Sequence, residues 1–258
     1  MGITVLGREE ILGAITDALQ PLDYVYGMWQ CGSAAFKRVD QWSDIDIVVD
    51  VHDDRVKEVF PVLDKALEAL APIEISLEYP QTMSPGAYQK VYKLEGTSRF
   101  MVIEICALKH SSSEKFLQRE IHGEIFVHFD KENVTENKPI DEEKFYANLK
   151  ARLEGLEKLF NIYQFLIEKE VNRDNKIEAL AFYQNFTLNP LIEVLRMKYN
   201  PYRYSFKTRY LYYDLPKEVV KKLEEFYFIT DMRDLTLKHK EAIRWFNCIV
   251  VELKKNQI

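Results

Sequence analysis

Cysteine is scarce and odd in number: Cys31, Cys106 and Cys248 are the only three in 258 residues. Their wide spacing excludes a disulfide framework and a CxxC zinc pair. A reducing compartment, the cytoplasm, is the simplest reading. Cys31 and Cys106 sit in apolar runs and read as small buried residues rather than nucleophiles. Nowhere does the chain approach the roughly 20 consecutive apolar residues that span a bilayer. The stretch MGITVLGREEIL has neither a basic n-region nor an apolar h-segment, so no secretory signal is expected. The histidines (His52, His110, His122, His128 and His239) show neither HxxxH nor HExxH spacing, which argues against a zinc site. Hydrophobic residues make up 47% and aromatics 13%, so disorder is excluded as the main state.

The formal net charge is −6 and it is unevenly spread. Residues 1–139 carry 14 Lys+Arg against 23 Asp+Glu, whereas residues 140–258 carry 21 against 18. An acidic first half argues against a long nucleic-acid footprint. It is compatible with carboxylates gathered around a metal cation.

Periodicity predicts a helix over 8–20, with Ile11, Leu12, Ile15 and Leu19 on one face, closed by Pro21. Strands are predicted at 23–31, 45–51, 73–79, 88–94, 100–108 and 124–129, and a second helix at 53–70. This order makes a mixed sheet with helices packed on one side. The polar stretch KENVTENKP, ending at residue 139, reads as a linker. Beyond it, helical patterns at 141–170, 174–199, 216–228 and 231–255 predict a bundle. The fold class is therefore α+β followed by a C-terminal α-helical domain, with units 1–139 and 140–258 and substrates expected between them.

The chemistry concentrates in CGSAAFKRVDQWSDIDIVVD, residues 31–50. Asp44 and Asp46 flank Ile45 at the start of an apolar strand, and residues two apart point to one face. Two carboxylates there repel unless a cation or proton sits between them. A hard divalent ion suits oxygen ligands. Downstream, FMVIEIC buries Glu104 in an apolar run, where a carboxylate is costly unless paired or metal-bound. If that strand lies beside 45–51, three acids meet, enough for two Mg²⁺ ions about 3.5–4 Å apart. Gly32-Ser33 follows a strand and precedes a short helical stretch. Glycine permits close backbone approach, exposed N–H groups attract phosphate, and Lys37 and Arg38 add positive charge. The bland alternative is a turn before a capped strand; the ordered combination with a third acid favours a site.

Gly32-Ser33, then Ser43-Asp44-Ile45-Asp46, then Ile103-Glu104-Ile105 resembles the DNA polymerase beta-like nucleotidyltransferase superfamily. The resemblance implies that Gly32, Ser33 and Ser43, with Lys37 and Arg38 nearby, grip a nucleoside triphosphate. It implies that Asp44, Asp46 and Glu104 hold Mg²⁺, with Glu104 as ligand, base or both. Many members carry Arg-Gly shortly after Gly-Ser; here Phe36-Lys37-Arg38 stands instead. The implied reaction moves a nucleotidyl group, AMP from ATP, to a hydroxyl and releases pyrophosphate.

A second segment, RMKYNPYRYSFKTRYLYY at 196–213, interleaves cations with six tyrosines and contains no acid. Cations pair with phosphate and rings stack on bases. Arg196, Tyr199, Arg203 and Arg209 are therefore candidate nucleotide contacts. The competing reading is an inter-helical loop with tyrosines packed on the bundle. The segment resembles the helical region of small-substrate nucleotidyltransferases, the branch of aminoglycoside- and lincosamide-modifying enzymes. A small, cationic acceptor fits the acidic first half. A protein AMP-transferase and a non-catalytic nucleotide sensor are the alternatives. Sequence does not fix the oligomeric state.

Overall fold

The computed structural model describes residues 6–79, 86–137 and 139–256. The leader reading of the N-terminal stretch falls partly outside them. The chain divides into two compact units, Met1–Pro139 and Ile140–Ile258. No helix among the described residues is long and apolar enough to cross a membrane.

The first unit is built on six strands: β1 (Val25–Gln30), β2 (Ile45–Val51), β3 (Ile73–Tyr79), β4 (Ala87–Leu94), β5 (Ile103–Lys109) and β6 (Phe126–Asp130). They form one sheet in the order β3-β4-β5-β2-β1-β6, in which only β2 and β5 run parallel. Alternation decides what each face does. Ile45, Ile47, Val49 and Val51 point into a core shared with α1 (Arg8–Leu19) and α3 (Val59–Leu70). Asp46, Val48 and Asp50 point to the other face. There Trp29, Val48, Leu108 and Val134 form a smaller apolar cluster. A four-residue helix, α2 (Gly32–Ala35), joins β1 to the approach to β2, and another, α4 (Arg119–His122), precedes β6.

Two local expectations change in this unit. The helix read over 53–70 begins later, because Val56–Glu58 forms a separate 3₁₀ turn before α3. The stretch read as a linker is folded at its start. Asp130 accepts hydrogen bonds from the Val134 and Thr135 backbones, and Val134 is buried against the sheet.

The second unit consists of α5 (Glu142–Asn172), α6 (Lys176–Phe182), α7 (Asn189–Tyr199), α8 (Leu211–Asp214), α9 (Lys217–Tyr227) and α10 (Met232–Lys255). The stripe on α5, Leu149, Leu153, Leu156 and Phe160, is buried in its core, where Phe160 stacks on Phe246 at 3.6 Å between centroids. The helix expected over 174–199 is interrupted. Tyr183–Leu188 forms a π-helical turn between α6 and α7, just ahead of Pro190. Proline removes one backbone donor and crowds the preceding turn, which favours a shift in hydrogen-bond register there.

His128 and His239 are both held neutral by burial, each below its ordinary value of 6.5. Gln30 donates to His128 Nε2 at 2.9 Å, and His239 Nε2 pairs with Gln164 Oε1 at 2.9 Å. A depressed histidine pKa makes stability fall as pH drops below the unfolded value, because only the unfolded chain takes the proton. Thermal unfolding is expected to show a falling melting temperature between about pH 7 and about pH 5. A flat profile across that window contradicts the assignment.

Candidate active site

The Gly-Ser turn is pinned to the acidic strand through its backbone. Cys31 N–H donates to the Asp46 carbonyl at 3.0 Å, and Gly32 follows with φ of +57°. A Cβ on Gly32 would lie 1.7 Å from Asp46 Oδ2, so only glycine leaves room for this carboxylate. Next to it, the Ser33 hydroxyl is buried and makes no hydrogen bond among the described residues. An unpartnered buried hydroxyl is costly and calls for a ligand or water.

The parallel pairing of β2 with β5 sets Asp46 directly opposite Glu104. Their side chains therefore share one face of the sheet. Gln89 on β4 donates from Nε2 to Glu104 Oε1 and orients it. Asp44 lies just before β2 and is exposed. Its carbonyl accepts from Arg8 Nη1 at 2.6 Å, while Arg8 Nη2 donates to Gln30 Oε1 at 2.9 Å. Burial lowers the Arg8 pKa, opposed chiefly by the Asp46 charge and also by Glu9 and Asp44. Arg8, Gln30 and Gln89 carry no motif, and sequence reading missed all three.

Asp50 belongs elsewhere. It is fully buried at the far end of β2, with Lys115 Nζ at 2.6 Å and His110 Nδ1 at 2.7 Å. Cys31 and Cys106 flank the carboxylates. Burial pushes both thiols up to about 12, with Asp46 adding to the rise at Cys31 and Glu104 at Cys106. Neither is a thiolate at neutral pH. Alkylation of the native protein is expected to modify the exposed Cys248 and to spare the other two until unfolding. Mass spectrometry showing rapid double or triple labelling contradicts this.

Ser43, expected to contact nucleotide, closes its own turn. Its Oγ donates to Asp40 Oδ1 at 2.8 Å and accepts from Asp40 N–H at 2.9 Å. Lys37 is exposed and paired with Glu124 at 3.1 Å. The Arg38 guanidinium lies over the Phe36 ring at 5.1 Å, and its backbone N–H donates to the Ser33 carbonyl at 2.9 Å. Arg38 is thus tied to the Gly-Ser turn through its backbone, whereas the Lys37 ammonium is engaged by Glu124.

The basic segment of the second unit requires a correction. Arg196 is fully buried, with Nη1 on Asp214 Oδ2 at 2.8 Å and Nε on the Lys207 carbonyl at 2.8 Å. Its Nη2 donates to the Arg209 carbonyl. Arg203, also buried, places Nη1 on Asp214 Oδ1 at 2.8 Å. Their charge serves the fold instead of a phosphate. Tyr199 is partly exposed at the end of α7. Arg209 lies at the surface over the Phe206 and Tyr210 rings, at 5.1 and 5.8 Å.

Comparison with protein-family models and with curated proteins finds no match. Among solved structures, the chain is similar to an aminoglycoside 6-adenyltransferase from Bacillus subtilis. The identity is 11% and the TM-score 0.40, over 97% of this chain and 91% of that one. At that identity and score, the functional reading rests on the residues of this chain.

The donors at the site are all oxygens, which suits Mg²⁺ in kind. Among the described residues, no group of three or more His, Cys, Asp or Glu is gathered to hold an ion. The expected three-carboxylate cage is thus not assembled. The structure supplies the Asp46–Glu104 pairing across β2 and β5, with Asp44 exposed just before β2. That fits an ion held by one or two carboxylates and completed by substrate phosphates and water.

Proposed function

We propose that this chain is a nucleotidyltransferase that moves AMP from ATP to a hydroxyl of a small acceptor, releasing pyrophosphate. The observation that carries this reading is the Gly32–Asp46 fit: a glycine turn with φ of +57° closed against a carboxylate, with the unpartnered Ser33 hydroxyl beside it. In this reading the Gly32-Ser33 turn and Lys37 and Arg38 hold the triphosphate. Asp44 and Asp46 hold Mg²⁺ together with the phosphates, and Glu104 is a further ligand or the base. Bound there, Mg²⁺ would neutralise phosphate charge and lower the pKa of the acceptor hydroxyl.

The acceptor oxygen forms a bond to the α-phosphorus as the α–β bridging P–O bond breaks. The acceptor proton passes to a carboxylate, for which Glu104, oriented by Gln89, is the candidate. Arg8 fixes the Asp44 backbone and so the start of β2. The acidic first half suits a cationic acceptor. The three free cysteines suit the cytoplasm.

The test is pyrophosphate release from ATP and Mg²⁺ across a panel of hydroxyl-bearing acceptors, aminoglycosides and lincosamides included. Acceptor-dependent release that Asp46→Asn removes supports the reading. Labelled protein in place of labelled acceptor redirects it to protein modification. ATP binding without release under any acceptor leaves a sensor.

A further inference from the structure

The helical unit contains a cavity of about 490 Å³, lined by residues of that unit alone. One wall is aromatic. Tyr163 of α5 stacks on Phe186 of the π-helical turn, with centroids 5.1 Å apart and planes 28° apart. The turn is held by a buried polar network that has no other evident use. Gln164 Nε2 donates to the Phe160 and Phe186 carbonyls, at 2.9 Å each. Its Oε1 takes the Thr187 hydroxyl at 2.7 Å and faces His239 Nε2 at 2.9 Å. π-Helical turns cost regular hydrogen bonding and occur often at functional sites.

The lining also carries charge. Arg152 and Glu193 form a two-pronged ion pair, Nε–Oε1 at 2.5 Å and Nη2–Oε2 at 2.8 Å, and so cancel. Lys207 is the remaining lining cation, and no ion pair engages it among the described residues. Its backbone sits at φ +52°, ψ −128°, an unfavourable place for a residue with a side chain. Arg196 fixes it there by bonding its carbonyl at 2.8 Å. The buried Arg196–Asp214–Arg203 cluster thus fixes a strained residue of the cavity lining.

We propose that this cavity binds a ring compound carrying one anionic group, such as an aromatic carboxylate, sulfonate or phosphate ester. The ring packs on the Tyr163–Phe186 wall and the anion meets Lys207. The Asn189 amide, also lining the cavity, offers a donor and an acceptor to the ring edge. The size lies within the usual range for small-molecule sites, about 300–1,000 Å³. This inference does not rest on nucleotidyl transfer.

Anilinonaphthalene sulfonate has the proposed chemistry and serves as the probe on the full chain. Fluorescence titration is expected to show one saturable site. Lys207→Gly is expected to weaken binding about tenfold, the loss of one charge-assisted contact, while leaving the unfolding midpoint equal or higher, since glycine accepts this backbone. Leu159→Trp, at a half-exposed lining position, is expected to block the cavity without unfolding the chain. Asp46→Asn is expected to leave probe binding unchanged. Probe affinity indifferent to both Lys207→Gly and Leu159→Trp overturns the proposal. It places the probe elsewhere, for instance in the smaller cavity between α8 and α9.

Discussion

Gly32→Ala is expected to lower nucleotidyl transfer by about 100-fold or more, the cost of an ångström-scale misplacement at a reacting centre. The added Cβ would lie 1.7 Å from Asp46 Oδ2, so either the carboxylate or the turn must move. The φ of +57° adds strain of about 1–3 kcal/mol for a non-glycine residue. Stability therefore falls modestly while activity collapses. Gly155→Ala is the matched control. It lies within α5, and its Cβ would meet nothing within 4 Å. There alanine is expected to stabilise by about 0.5–1 kcal/mol through helix propensity and to leave activity alone. Paired denaturation and turnover measurements check both. Equal activity in Gly32→Ala and wild type contradicts the Gly32–Asp46 coupling.

Asp214→Ala is expected to cost about 3–5 kcal/mol, because it strands two buried guanidinium groups without a counter-charge. Arg196 is completely buried, and the Asp214 side chain is 2% exposed. A loss of that size lowers the melting temperature by about 12–20 °C for a unit of this length. Replacing the ion cluster with apolar residues is not expected to restore full stability. Arg196 also satisfies the Lys207 and Arg209 carbonyls, which would then be orphaned. Denaturant unfolding is the check. A change below about 1 kcal/mol, the range of exposed ion pairs, contradicts the burial argument.

What the sequence reveals depends on how local the signal is. Asp44, Asp46 and the Gly-Ser turn are legible because strand alternation and turn chemistry act over a few residues. The neighbourhood of Glu104 rests on one pairing, β2 parallel to β5, and the register Asp46 opposite Glu104 supplies it. Contacts across long loops leave no trace in a motif. Arg8 reaches Asp44 over 36 residues and Gln30 reaches His128 over 98.

The basic segment misleads for an instructive reason. No acid occurs from 196 to 213, but residue 214 is the aspartate that neutralises both buried arginines. Charge counted within a window misses a partner one step outside it. The π-helical turn escapes similarly, since its apolar spacing continues the helical pattern and only Pro190 marks the break.

The most direct test is ATP binding by calorimetry, with and without Mg²⁺, for wild type and the Asp44→Asn/Asp46→Asn variant. The account predicts Mg²⁺-dependent binding by the wild type that the variant loses. Equal Mg²⁺-dependent binding by both proteins would contradict it, because the metal and nucleotide would then lie away from these carboxylates.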